Sequence, residues 1–129
     1  IPSEVVSIHG ITDAMVADAP EWGDVYPTVR RILSAGSVVV YNADFDYRML
    51  NQMNARYGFP HYQARWECAM HQYGAWAGQW NAKYGNYRWH KLDSALTTFG
   101  HPIASHRAAD DARACRLVVV GMAQTTNRR

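Results

Sequence analysis

The sequence predicts an α/β protein, on three observations. Ser37-Val38-Val39-Val40-Tyr41 is a β-branched run with apolar residues on both faces, the composition of a strand buried inside a sheet. Before it, Trp22, Val25, Val29, Ile32 and Leu33 recur at helical spacing. After it, Phe45, Met49, Met53 and Tyr57 do the same along one face. A strand set between helices is the alternation from which layered α/β domains are built.

Taken in order, residues 1–12 read as an exposed approach to a short helical turn. A helix covers Trp22 to Leu33. Pro27 suits the first turn of a helix, where no intrahelical N–H is needed, so the start is expected near Glu21 to Asp24. Gly36 stops it before the strand. The next helix runs from about Phe45 to Tyr57, with Gly58 at its C′ position and Pro60 blocking continuation. Cys68 to Trp80 reads as a third helix and residues 81–90 as a polar, aromatic loop. Leu92 to Phe99 is a short helix closed by Gly100, with Asp93 as its cap. Ala108 to Gln124 is the last helix, and Thr125–Arg129 a frayed tail. The only other strand candidates are Tyr62–Trp66 and Tyr84–Trp89. A strand apolar on both faces needs partners along its edges, and these candidates are too few to supply a sheet. The expectation is therefore that residues 1–129 are the C-terminal part of a single domain whose N-terminal strands lie before Ile1.

Composition narrows the class. The chain has 129 residues, which suits one domain, and its 48% hydrophobic content excludes wholesale disorder. Its longest uninterrupted apolar run is about Leu117–Val120, so no membrane partner is expected. No charged segment with an apolar core opens the chain as a signal peptide would. Cys68 and Cys115 have neither metal-ligand nor redox spacing, which favours two free thiols in a reducing, cytoplasmic setting. Net charge is only +2 and does not announce nucleic acid by itself. All but Lys83 and Lys91 of the 13 basic residues are arginine, a side chain whose planar fork suits phosphate, although high genomic GC content gives the same bias.

Two segments carry chemistry. Asn42-Ala43-Asp44-Phe45-Asp46 follows the strand directly, and His106-Arg107-Ala108-Ala109-Asp110-Asp111 opens the last helix. Each puts a carboxylate on the first turn of a helix. Carboxylates converging from separate elements hold hard divalent cations, and a neighbouring histidine can take a proton from an attacking water. The combination points to hydrolysis of a phosphate ester. Blander readings stand beside it. Asp44 or Asp46 could simply cap its helix, although Asn42 or Asp44 in that role leaves Asp46 free for the cleft. Asp110 faces solvent and complements the helix dipole. His106 alone would read as a loop or core histidine, and Phe45 as core. Trp66, Tyr73, Trp76, Trp80, Tyr84, Tyr87 and Trp89 could stack on single-stranded bases. Core packing is favoured for them, with Tyr87 and Trp89 the best candidates for exposure. Cys68 and His71 lie one helical turn apart, but two ligands do not make a zinc site.

Asn-Ala-x-Phe-Asp after a hydrophobic strand, then His-x-x-x-x-Asp opening a helix some sixty residues later, resembles the DEDDh (DnaQ-like) 3′→5′ exonucleases of the ribonuclease H-like superfamily. That group includes polymerase proofreading subunits, ribonuclease T and exodeoxyribonuclease X. Ile8-His9-Gly10-Ile11-Thr12 is similar to a segment that precedes the second motif in this group, and Ala17-Asp18-Ala19-Pro20 after it brings the wording nearest that of exodeoxyribonuclease X. The three matches, in order, cover nearly the whole chain. The resemblance implies a ribonuclease H-like fold, a mixed central sheet flanked by helices. It implies Asp46 and Asp111 as metal and catalytic residues, the spacing from the histidine selecting Asp111 over Asp110, and His106 as the general base. Ile8, His9, Asn42 and Phe45 would border the terminal nucleotide, with a turn fixed by Gly10 the competing account of Ile8 and His9. The cofactor implied is a pair of Mg²⁺ or Mn²⁺ ions. The partner implied is the 3′ end of a single-stranded or frayed nucleic acid, DNA before RNA, in a polymerase or repair complex. One departure stands out: the family's first motif, Asp-x-Glu, occurs nowhere in residues 1–129. The alternative reading is thus a catalytically inactive nucleic-acid-binding fragment or scaffold.

Overall fold

The structure, a computed structural model, describes residues 1–63, 65–103 and 107–126. Eleven elements follow one another: α1 (Ser3–His9), α2 (Asp13–Val16), α3 (Trp22–Leu33), β1 (Val38–Val40), α4 (Ala43–Arg56), β2 (Trp66–Cys68), α5 (Ala69–Ala77), β3 (Trp80–Asn81), β4 (Asn86–Tyr87), α6 (Leu92–Thr98) and α7 (Ala108–Thr126). The approach expected over residues 1–12 is a helix and a cap: α1 ends at Gly10 in the left-handed region (φ 70°), and the Thr12 hydroxyl accepts from the Met15 N–H to open α2.

Helix α3 has the expected bounds, Trp22–Leu33, with one correction inside them.

 The capping box formed by Glu21 and Asp24 sets the start at Trp22, so Pro27 falls in the second turn of α3 and not in the first. The helix ends at Leu33, capped at Ser34, before Gly36 is reached. Helix α4 extends from Ala43 and closes as expected, the Phe59 N–H bonding back to Asn54 O at 2.8 Å with Gly58 at φ 71°. Its apolar stripe is not its buried face: Phe45, Met49 and Tyr57 are all exposed, and the buried positions are Ala43 and Asn54. Asn54 is fully buried and joins two helices. Its Nδ2 donates to Tyr26 Oη at 2.9 Å, and its Oδ1 accepts from Trp22 Nε1 at 3.0 Å. Periodicity alone scores that asparagine as solvent-facing.

Strands β1 and β2 pair in parallel, with Val38 opposite Trp66, Val39 opposite Glu67 and Val40 opposite Cys68. With α4 between them they form a βαβ unit, the α/β arrangement expected of the sequence. Two expectations change. The second strand is Trp66–Cys68, not Tyr62–Trp66, which shortens the third helix to α5. The central run is not buried on both faces, since Val39 is 47% exposed. The segment around Tyr84–Trp89 is half of an antiparallel hairpin, Trp80 opposite Tyr87 and Asn81 opposite Asn86.

The core lies where α5, α6 and α7 meet, around Tyr73, Ala95, Leu96, Ala114, Val118 and Met122, with Tyr41 reaching in from the end of β1. Close approach of α6 to α7 depends on Gly121, where a Cβ would lie 2.5 Å from the Phe99 ring. At the far end of α7, Thr125 belongs to the helix and not to a frayed tail, its Oγ1 accepting from Trp76 Nε1 at 3.2 Å. Asp93 is not the cap of α6; Lys91 occupies that position and Asp93 follows in the first turn. No described helix is long and apolar enough to cross a membrane.

Candidate active site at the end of the parallel strands

The parallel pairing brings the C-terminal ends of β1 and β2 together, the edge at which open α/β sheets present their sites. Asn42 makes the turn from β1 into α4. It adopts the left-handed conformation (φ 65°, ψ 57°), and among the described residues it is the only non-glycine to do so. Asparagine tolerates this region better than most residues, and a sharp reversal there lets α4 begin within two residues of the strand. Its side chain makes no capping bond, so Asn42 serves the turn through its backbone, not as the side-chain cap considered for it. Buried Ala43 then seats the first turn of α4, and Asp44, Phe45 and Asp46 emerge at the site. Phe45 is 50% exposed, which corrects its reading as core, and the Arg48 guanidinium lies 6.0 Å from its ring centroid.

Asp46 is the distinctive carboxylate. The residue is exposed overall, yet its carboxyl is packed closely enough to lose water, which raises its pKa above the ordinary value. A hydrogen bond from its own backbone opposes that shift. No described cation pairs with it. Near it stands Cys115 of α7, a buried free thiol. Burial, then the proximity of Cys68, then that of Asp46 push the Cys115 thiol up to about 11. Cys115 lies four residues after Asp111, on the same face of α7 and one turn further along. Asp46 therefore lies near the stretch of α7 one helical turn beyond Asp111. Asp111 itself is partly exposed in the first turn, while Asp110 turns aside to Arg113 at 2.8 Å. Tyr41, directly after β1, lies near Cys115 and Cys68. Burial first, and then Tyr73, Cys115 and Cys68, raise the pKa of its phenol, whose O–H donates to His90 O at 2.9 Å.

The other sequence-selected residues fall nearby or outside the description. His106, selected as the general base, lies outside the described residues. Its neighbour Arg107 is described, and its guanidinium donates to the His9 carbonyl at 3.1 Å, across 98 positions of sequence. That bond ties the Ile8–His9 segment to the N-terminal end of α7. His9 also accepts from the Ile11 N–H through Nδ1 at 2.9 Å, and Ile8 is 63% exposed beside it. The turn at Gly10 and the placement near α7 thus coexist. Sequence reasoning missed Arg107, whose only signal was an arginine directly after the motif histidine. It also missed a pocket of about 510 Å³ beside α4, where Asp44, Tyr47, Glu67 and His71 converge. Its signal was the parallel register, invisible until β2 is placed.

A desolvated carboxylate with no compensating described cation, with a second carboxylate in the first turn of another helix, is donor chemistry that suits a hard divalent ion. Among the described residues, no three His, Cys, Asp or Glu side chains are grouped so as to hold an ion. The residues present therefore fit part of a metal site.

A family model described as Exonuclease matches residues 1–119. The chain is 36% identical over 121 residues to the uncharacterized exonuclease CP81 of Escherichia phage 186, covering 88% of this chain and 62% of that protein. It is 30% identical over 116 residues to DNA polymerase III subunit epsilon of Treponema pallidum (strain Nichols), covering 89% and 52%. The chain thus spans between half and two thirds of the length of these relatives.

Proposed function

We propose that this chain, which belongs to the exonuclease family, forms part of a divalent-metal-dependent 3′→5′ exonuclease that releases nucleoside 5′-monophosphates from single-stranded or frayed ends, DNA before RNA. The observation that carries the reading is the desolvated Asp46 carboxyl at the C-terminal end of the parallel strands, near Cys115, which lies one turn beyond Asp111 on α7. Asp46 and Asp111 would hold Mg²⁺ or Mn²⁺, with further carboxylates completing the set. When bound, such ions supply Lewis-acid stabilisation of the charge that develops on the phosphate in the transition state.

The remaining roles fall to the chain's own groups. His106 takes the proton of the attacking water, a task suited to an imidazole titrating near neutrality. Arg107 fixes the Ile8–His9 segment against the start of α7, so that the wall around the terminal nucleotide moves with the histidine motif. Exposed Ile8 and Phe45 offer apolar contacts to the terminal sugar and base, and Asn42 a polar one. The similarity to a polymerase epsilon subunit supports a place in a polymerase or repair complex.

The test is digestion of a 5′-labelled oligonucleotide by the full-length protein in Mg²⁺. The label should shorten one nucleotide at a time from the 3′ end, and a 3′ block should stop it. Asp46→Asn and Asp111→Asn should each abolish turnover with the fold retained. His106→Ala should lose about 10²–10⁴-fold, with the deficit shrinking at high pH as hydroxide replaces the base. Internal cuts, or digestion from the 5′ end, would reject the exonuclease reading.

A further inference from the structure

Between Cys68 and Asp93 the chain has no carboxylate, yet it carries Lys83, Arg88 and Lys91. The structure folds this stretch into the β3–β4 hairpin and fastens it down. Gly74 on α5 lies so close to it that a Cβ would stand 2.8 Å from the Arg88 carbonyl oxygen. The Arg88 N–H donates to Gln79 O at 2.8 Å, and Trp80 meets Tyr87 edge to face across the strands at 5.1 Å. The hairpin is thus a firm platform.

Its aromatic planes face water: Trp89 is 61% exposed and Tyr84 67%. Exposure of Tyr87 and Trp89 matches the expectation; that of Trp80 and Tyr84 departs from the core packing favoured for the cluster, of which Tyr73 and Trp76 join the core. Tyr84 and Trp89 line one open pocket of about 940 Å³ together with Asn81, Asn86, Arg88 and Lys91. Among the described residues none of the three cations is ion-paired, and the Lys83 ammonium sits 5.2 Å over the Tyr84 ring. One hydrogen bond links the pocket wall to the end of β1. His90, in its wall, accepts the hydrogen bond of Tyr41, the residue between β1 and Asn42.

We propose that the hairpin pocket is a non-catalytic binding subsite for single-stranded polynucleotide, holding part of the strand away from the end being removed. Bases stack on Trp89 and Tyr84 whatever their sequence, because each offers a π-face. Phosphates are met by Arg88 and Lys91. An acidic peptide would use the cations but has no need of the exposed planes, so stacking is the feature that singles out a nucleic acid. The inference rests on the nuclease reading for what happens at the strand's end, but the binding it predicts is independent of cleavage.

The experiment measures both in the full-length protein. Affinity is read in EDTA with fluorescein-labelled oligo-dT and oligo-rU of about 12 nucleotides, a length typical of single-strand binding sites. An abasic strand of equal charge is the control. Trp89→Ala/Tyr84→Ala should weaken binding of the base-bearing strands by about tenfold or more and leave the abasic strand nearly unaffected. Arg88→Ala/Lys91→Ala should weaken all three and flatten the salt dependence. Loss with dT, rU or both supports the subsite and tells which sugar it accepts. Unchanged affinity in the aromatic variant, or an abasic strand binding as tightly as oligo-dT, overturns it. Hydrolysis of the p-nitrophenyl ester of thymidine 5′-monophosphate, too short to reach the hairpin, should be unchanged in both variants, and a fall there overturns the claim that the subsite is non-catalytic. If the wild type hydrolyses nothing, the nuclease reading fails, and the binding comparison still decides the subsite.

Discussion

Asp46 is a carboxylate held where its charge is disfavoured. Its pKa is raised in the folded protein, so the ionised form costs stability above the unfolded-state pKa, and that cost fades as pH falls through the raised value. Without metal, Asp46→Asn should therefore melt at or slightly above the wild-type temperature at pH 7, with the difference narrowing toward pH 4. Thermal unfolding across that range in EDTA checks the sign. A clearly lower Tm for the variant at neutral pH would mean that Asp46 stabilises the fold and is not a group kept for a ligand. Cys115 shows the same environment from the other side, a buried thiol raised in part by that carboxyl. Asn42 belongs beside them, since its left-handed backbone is local strain located at the candidate site.

At the scale of elements, the site depends on how α4 is anchored. Its exposed apolar stripe contributes little to that, and buried Asn54 takes the role by bonding Tyr26 and Trp22 of α3 and, at 3.4 Å, the carbonyl of Pro60. Asn54→Ala should cost on the order of 1–3 kcal/mol, because it leaves a small void, removes the buried bond to Tyr26 and strands the part-buried Trp22 indole N–H. Denaturant unfolding measures it, and a loss under about 0.5 kcal/mol would show that α3 and α4 are not joined through this residue. The α6–α7 contact works by the opposite means. Gly121 offers no side chain, and the Phe99 ring fills the space.

For the whole molecule, the question is whether carboxylates from separate elements act as one site. If they do, Mg²⁺ or Mn²⁺ should raise the Tm of the full-length protein as mass action requires, by about 2.7 kcal/mol of stability at a hundred times the dissociation constant. Asp46→Asn and Asp111→Asn should each remove most of that gain. A metal-induced shift of equal size in wild type and both variants would place the ion elsewhere.

The sequence by itself determined the local signals and the kind of chemistry. The Val38–Val40 strand, the α3 and α4 helices, the Gly58 stop and the ordered motifs at Asn42–Asp46 and His106–Asp111 all follow from near-neighbour patterns, as does the exonuclease family. Only the tertiary structure decided which faces are buried, because burial depends on what packs opposite and not on spacing along one helix. That is why Asn54 is inside while Phe45 and Met49 are outside. It also decided that Arg107 reaches His9 across 98 positions and that Tyr84 stands exposed in one pocket with Trp89, Arg88 and Lys91. Contacts between distant segments are set by the fold's geometry, which a local pattern does not encode.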